Sequence, residues 1–269
     1  MNYLIAVDME GVHGVVGVPY KGLECELDDY KVAVDSATKE VNTVIKALYD
    51  SGAKQVYVWD NHGNLDNLDF NLIDSRAKKA IPKSNNIDRL DFVEGLNIDA
   101  VLYIGYHSRE GSLNGILAHT YDSTAVQFYK INGKQVGEFD MDAYMAAEHG
   151  LPSIFVAGDN VLISQVLEFN PQVVTALTKT GTGRNSAIFR DEKELLEDIY
   201  QGVKKAVKKN IEIKKLKFPC EFEVRFTRME FAKEMLDQKI KVVPQAKYGE
   251  DAHTLVATVE NIQQLKYML

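Results

Sequence analysis

Short apolar runs alternate with amphipathic stretches through most of the chain. Tyr3-Leu4-Ile5-Ala6-Val7 is brief, apolar and bounded by polar residues, the pattern of a buried strand. A glycine-rich stretch, Gly11 to Gly22, follows it. Asp28 and Asp29 then suit the positive end of a helix, and Val32, Val34, Ala37, Val41, Val44, Ile45 and Leu48 recur at mostly helical spacing until Gly52. Gln55 to Trp59 reads as a second buried strand, and a β-α-β unit of this kind demands parallel strands. The pattern continues with a short helix at Phe92 to Leu96 and a strand at Ala100 to Tyr106. Two alternating stretches then flank Asn132-Gly133, a hairpin signal. Helices are expected at Asp140 to His149, Asn160 to Phe169 and Glu192 to Lys209, with strands at Ser153 to Ala157 and Val173 to Thr178.

The lysine-rich stretch from Lys208 to Lys217 shows little sign of a core and reads as a boundary. Beyond it come a strand (Glu221 to Phe226), a helix (Glu230 to Asp237), strands at Lys241 to Val243 and Thr254 to Val259, and a last helix. The expected architecture is therefore α/β. A mostly parallel sheet with flanking helices over residues 1–210 carries the candidate site, and a smaller α+β unit fills 211–269. There is no internal repeat and no low-complexity segment.

Composition narrows the function classes. Hydrophobic residues make up 45% of the 269 and charged residues 26%, enough for a real core. A formal charge of -8 disfavours nucleic acid as a partner, because an acidic surface repels phosphates. No run approaches the roughly 18 apolar residues of a membrane span, and the start of the chain lacks the form of a signal peptide. Cys25 and Cys220 form no CxxC pair, so neither a disulfide framework nor a thiolate zinc site is expected, and a reducing cytoplasm fits.

The chemistry lies where strands end. The first strand runs into Asp8-Met9-Glu10, the second into Asp60-Asn61-His62 and the third into Tyr106-His107. Ligands of an open parallel sheet bind outside the carboxyl ends of its strands, so these residues converge on one edge. Asp8 and Glu10 point to the same side if the strand extends that far, and the hairpin supplies Glu138 just before the next helix. Singly, each is ordinary: a turn acid, a solvated glutamate, a hydrogen-bonded histidine. Together they are a metal-ligand set. Mixed imidazole and carboxylate suits zinc, while manganese and cobalt also fit. Five side chains exceed the usual three of a mononuclear catalytic site, so two metals are expected, with Asp8 as the natural bridge. His119 ends the further apolar run Gly115 to Ala118 and is a ligand, a general acid/base or a core histidine. Asp60 orients a ligand histidine or serves a turn, and Arg184 binds a substrate carboxylate or anchors its loop. The stretch Thr180 to Asn185 lacks phosphate-loop spacing, and there is no GxSxG elbow or HExxH helix.

VDMEG at 7–11, DNHG at 60–63, GYHS at 105–108, Ala118-His119 and VGE at 136–138 come in an order and at intervals that resemble the D-aminopeptidases of bacterial dipeptide-transport operons (DppA type). The resemblance covers most of residues 1–190 and continues loosely beyond. It implies a dinuclear zinc peptidase with Asp8, Glu10, His62, His107 and Glu138 as ligands and His119 as the catalytic histidine. It also implies short peptides with an N-terminal D-residue as substrates, and a homo-oligomer in the form of a decameric ring. His13, Asn61 and Gly63 depart from the family's usual residues at positions expected to line the pocket, and so bear on substrate preference. Two readings outside this class stand beside it: a dinuclear metallohydrolase acting on another amide or a phosphoester, and a non-catalytic assembly protein holding zinc.

Overall fold

The computed structural model describes residues 1–24, 28–63, 66–82 and 89–269; Cys25 lies outside the described residues. The first half of the chain forms β1 (Asn2–Val7), α1 (Asp28–Asp50), β2 (Gln55–Asp60), β3 (Lys78–Lys79), β4 (Ala100–Ile104), β5 (Val126–Ile131) and β6 (Lys134–Val136). There follow α2 (Glu138–Glu148), β7 (Ser153–Gly158), α3 (Asn160–Phe169), β8 (Val174–Leu177), β9 (Lys179–Gly183), β10 (Ser186–Phe189) and α4 (Glu192–Ala206). The C-terminal stretch adds β11 (Cys220–Phe226), α5 (Met229–Lys239), β12 (Lys247–Tyr248), β13 (Thr254–Val259) and α6 (Ile262–Tyr267).

The main sheet has the order β3-β2-β1-β4-β7-β8, and every neighbouring pair is parallel. The chain winds outward from β1 in one direction, then returns to start again at β4. Strand order therefore reverses between β1 and β4, and a crevice opens beyond their carboxyl ends. Both faces of the sheet are covered. Tyr3, Ile5 and Val7 of β1 face a cluster with Val41, Val44 and Leu48 of α1 and Leu195, Ile199 and Val203 of α4. Leu4 and Ala6 face the opposite cluster, with Tyr129, Phe139, Val166, Phe222 and Leu265. This alternation is the strand period of two, and each fully buried Val, Leu or Ile contributes roughly 1.5–3 kcal/mol.

The second cluster joins the main sheet to an antiparallel one, ordered β12-β13-β11-β5-β6. Its register runs Phe222 to Ile131 and Val224 to Tyr129, so strands from the two sides of the lysine-rich stretch share one sheet. The β5–β6 hairpin turns at Asn132 and Gly133, both left-handed at φ 50° and 77°.

Several local expectations change. The strand expected at Lys241 to Val243 is a turn that prolongs α5. Val243 donates to the Lys239 carbonyl at 2.8 Å, and Pro244, with no N–H to give a ladder, ends it. The glycines of Thr180 to Asn185 belong to the β9–β10 hairpin, where residues without bulk let the Gly181 backbone lie against Asn114. Helix α2 begins at Glu138, earlier than the apolar periodicity suggested, because Asp140 accepts the Gly137 N–H at 2.7 Å and fixes the first turn.

Candidate metal centre

All five residues singled out at strand ends meet in the crevice between β1 and β4. Strand β1 stops at Val7, so strand alternation does not align Asp8 with Glu10. A turn does so instead. Gly11 donates to the Gly105 carbonyl at 2.7 Å, and Asp8 donates to the Ile104 carbonyl at 2.8 Å. A Cβ at Gly105 would stand 2.0 Å from the Asp8 carbonyl, and one at Gly11 would stand 1.9 Å from that of Tyr106. Two glycines thus allow the chain segments carrying Asp8 and His107 to touch backbone to backbone. Buried Lys179 holds the same turn from below, donating to the carbonyls of Glu10, Val12 and Val15 at 2.6–2.7 Å.

Asp8 sits between two imidazoles. Its Oδ1 is 3.1 Å from His62 Nδ1, and its Oδ2 is 3.5 Å from His107 Nε2. Glu10 Oε2 is 3.2 Å from His62 Nδ1, and Glu138 Oε1 is 3.3 Å from His107 Nε2 and 3.7 Å from His119 Nε2. The rings of His107 and His119 stack at 4.0 Å. Two triads, Asp8-Glu10-His107 and His107-His119-Glu138, have donor atoms within 4.8 Å of one another. The second brings His119 into the cluster, at the longest of these nitrogen–oxygen separations. Glu138 comes from the first turn of α2, where the helix dipole favours a carboxylate, rather than from the hairpin.

The hydrogen-bond pattern fits a cation. The Ser108 carbonyl, 3.0 Å away, can only accept, so Nδ1 of His107 carries its hydrogen and Nε2 is the ring atom that faces Asp8 and Glu138. That Nε2 and Asp8 Oδ2 are both buried without a hydrogen-bond partner among the described residues. Two acceptor atoms aimed at one point need a positive charge between them, a proton on the imidazole or a bound cation. With protein groups alone, the charge falls on the imidazoles. Burial pushes His107 down, but Glu138, Asp8 and Glu10 outweigh it and raise the ring to about 10. Burial likewise opposes a charge on His62, yet Glu10 and Asp8 raise it well above its ordinary value. Burial and then Glu10 raise Asp8 to about 7, whereas His107 and His119 overcome burial at Glu138 and hold it at about 2.

His119 differs. Burial, and then the charge of His107, lower its pKa. Its Nδ1–H donates to the Leu117 carbonyl at 2.8 Å, leaving Nε2 free to take a proton. It stands on a turn, not on a strand end as an apolar run would suggest. Asp159, which caps α3, also accepts the Ile116 N–H at 2.9 Å; Leu117 donates to the Arg184 carbonyl at 2.9 Å; and Arg184 donates to the Ala118 carbonyl. Arg184 is thus an anchor of the histidine's loop. Leu117 and Tyr121, on either side, both hold left-handed backbone without being glycine, at φ 48° and 61°. Strain of this kind costs of order 1–3 kcal/mol and persists where surrounding bonds over-determine it.

Among the described residues, Asp60 makes no bond to an imidazole. It accepts the N–H groups of Asn67 and Leu68 at 2.6 and 2.9 Å, and Asn67 in turn donates to the His62 carbonyl, so Asp60 shapes the loop that carries His62. Asn61 and Gly63 line the adjoining cavity, but His13 instead bonds the Arg190 carbonyl and packs on Phe189. Sequence reasoning missed the buried pair Arg89–Asp142. Asp142 sits on α2 one turn beyond Glu138 and accepts from Tyr106 at 2.6 Å and Asn61 at 3.3 Å. The four-residue spacing of Glu138 and Asp142 was legible; the partner on a distant loop was not.

A model of the D-aminopeptidase family matches residues 1–269. The D-aminopeptidase of Bacillus subtilis (strain 168) is 30% identical over 188 residues, which are 69% of this chain and 66% of that protein. Among solved structures, the Zn-dependent D-aminopeptidase DppA from Bacillus subtilis, a self-compartmentalizing protease, has a TM-score of 0.87 at 22% identity, covering 100% of this chain and 95% of the other.

Proposed function

As the chain belongs to the D-aminopeptidase family, we propose that it releases an N-terminal D-amino acid from short peptides by zinc-dependent hydrolysis. The observation that carries this reading is the pair of buried polar atoms, Asp8 Oδ2 and His107 Nε2, 3.5 Å apart beside Glu10 and Glu138 and without a hydrogen-bond partner among the described residues. Asp8, Glu10, His62, His107 and Glu138 would hold two zinc ions, Asp8 lying between the two imidazoles. Manganese and cobalt suit the same donors. Zinc bound there supplies Lewis acidity toward the scissile carbonyl and lowers the pKa of a water toward neutrality.

The chain's own residues do the rest. His119, neutral at pH 7 with its Nε2 unprotonated, accepts the proton of the attacking water and returns it to the leaving amine. The Leu117 carbonyl fixes the tautomer this requires. The alternatives of a phosphoester substrate or a purely structural zinc site gain no support from family membership. The D configuration of the substrate rests on that membership alone.

The proposal extends to a homo-oligomer, a decameric ring, since the Bacillus subtilis protein of the same fold is self-compartmentalizing. Tyr20, Leu113 and Ile188 are largely exposed apolar side chains that such contacts would cover. No helix among the described residues is long and apolar enough to cross a membrane. The cytoplasm as its compartment rests on the sequence reading.

The test is the initial rate on D-alanyl and L-alanyl p-nitroanilides with protein as purified, chelated and zinc-restored. Zinc-dependent cleavage of the D-substrate is expected. Cleavage of the L-substrate instead overturns the stereochemistry; no cleavage of either anilide or of D-alanyl-D-alanine by protein shown to hold two metals overturns the activity.

A further inference from the structure

A cavity of about 340 Å³ adjoins the carboxylate–imidazole cluster and is lined by Asp8, His62 and Glu138 together with Arg89 and Tyr121. Arg89 is 95% buried by its 5% relative exposure. One edge of its guanidinium is fully used: Nε donates to Asp142 Oδ1 at 2.5 Å and Nη2 to Oδ2 at 2.9 Å. The rings of Trp59 and Tyr121 lie 5.1 and 5.0 Å from its central carbon and cover it. What remains is Nη1, which has no acceptor among the described residues. The Tyr121 hydroxyl is buried and equally without a partner.

The buried Tyr121 hydroxyl is costly to leave unused, because an unsatisfied buried polar group loses its hydration without return, and Arg89, with Nη1 unused, lines the same cavity. Arg89 is held too firmly for a mobile surface cation: Asp142 is fixed by Tyr106 and Asn61 as well. It is also the one Lys or Arg among the described residues lining this cavity, whose other charged groups include Asp8, Asp122 and Glu138. A ligand group that uses both donors must be an acceptor, and the fork geometry of Arg suits a carboxylate. Arg89 stands close enough to Glu138 for its charge to help lower that carboxyl. In a dipeptide the terminal carboxylate follows the scissile carbonyl by a single residue, roughly 3–4 Å along the chain.

Resting on the aminopeptidase reading above, we infer that Arg89 Nη1 and the Tyr121 hydroxyl bind the C-terminal carboxylate of the substrate, so that the enzyme selects free dipeptides. The leaving residue is recognised by its negative end as well as by its amide. Longer peptides place that charge beyond Arg89, and amidated dipeptides lack it. The rigid Asp142–Arg89 pair fixes the donor in advance, so selection costs little ordering on binding.

The experiment compares kcat/KM of the zinc-loaded wild type for D-alanyl-D-alanine and for D-alanyl-D-alanine amide. It then repeats the pair with Tyr121→Phe and Arg89→Gln. The wild type is expected to prefer the free acid by at least tenfold, chiefly through KM. The acid-to-amide ratio should fall severalfold in Tyr121→Phe and approach one in Arg89→Gln. The wild-type ratio needs no variant to fold, and Tyr121→Phe removes only a hydroxyl. Equal cleavage of acid and amide by the wild type sinks the carboxylate subsite and leaves the peptidase reading standing. Cleavage of neither, by protein holding its metals, sinks the peptidase reading itself.

Discussion

Replacing His119 by alanine separates a proton carrier from a metal ligand, because its Nε2 lies where it could serve as either. Its Nδ1–H is committed to the Leu117 carbonyl, so Nε2 is the only nitrogen available to the reaction. Burial and the neighbouring His107 lower its pKa below 6.5, so at pH 7.5 nearly every molecule carries the unprotonated form and the full effect is measurable. General acid–base catalysis contributes about 10²–10⁴ in rate, or about 3–5 kcal/mol at about 1.4 kcal/mol per tenfold. The loss to stability is smaller. Alanine removes a ring stacked on His107 at 4.0 Å, a contact worth about 0.5–1.5 kcal/mol beyond its area. Against a typical margin of about 5–15 kcal/mol the variant folds. His107 and Glu138 keep their contacts with the rest of the cluster. The expected result is kcat on D-alanyl p-nitroanilide lower by about 10²–10⁴, with two zinc ions per chain by elemental analysis. Retention of the rate to within tenfold would refute the catalytic role. Loss of one zinc in step with the activity would make His119 a ligand of the triad with His107 and Glu138.

Three further outcomes follow from the geometry. Carboxylates raise His62 and His107, the latter to about 10, so both bind protons at neutral pH that a metal must displace. Zinc affinity should therefore fall as pH falls, by up to about tenfold per displaced proton per pH unit, and titration at pH 7 in two buffers of different ionisation enthalpy should register proton release. A pH-independent affinity would contradict this. Gly105→Ala puts a Cβ 2.0 Å from the Asp8 carbonyl at φ +73°; thermal melting should fall by the equivalent of more than about 1–2 kcal/mol, the left-handed cost alone, and metal stoichiometry should drop with it. Lys179→Met leaves the carbonyls of Glu10, Val12 and Val15 without their donor. At about 1–3 kcal/mol for an unsatisfied buried group, denaturation should show at least that loss, and an unchanged midpoint would mean that water replaces the ammonium.

Much of the parallel sheet was legible because its strands are local apolar runs. Tyr3 to Val7, Ala100 to Ile104 and Ile154 to Ala157 are buried on both faces, so their side chains are apolar in the main and the run announces itself. The candidate ligands were legible for a related reason: a polar residue directly after such a run lies at the sheet's carboxyl edge whatever the strand order. Helix α3 runs from Asn160 to Phe169 as the sequence pattern predicts, and the structure adds Asp159 as its cap. The turn at Lys241 to Val243 was misread because three residues are too few to tell a strand from the frayed end of a helix.

Sequence alone thus determined which side chains could bear the chemistry, since residue type and position after a strand are properties of a local stretch. The tertiary structure alone decided how they meet. Strand order 3-2-1-4-7-8 places the reversal between β1 and β4, and no local pattern encodes which strands become neighbours. Asp8 and Glu10 converge through the Gly11–Gly105 contact and the three bonds of Lys179, all between residues far apart in the chain. His119 reaches the cluster through Asp159 and Arg184, and Arg89 faces the cavity because Asp142, on another element, holds its guanidinium. Hydrophobic periodicity reports burial of a segment against something. The identity of that something is a long-range property, fixed only when every segment competes for the same core.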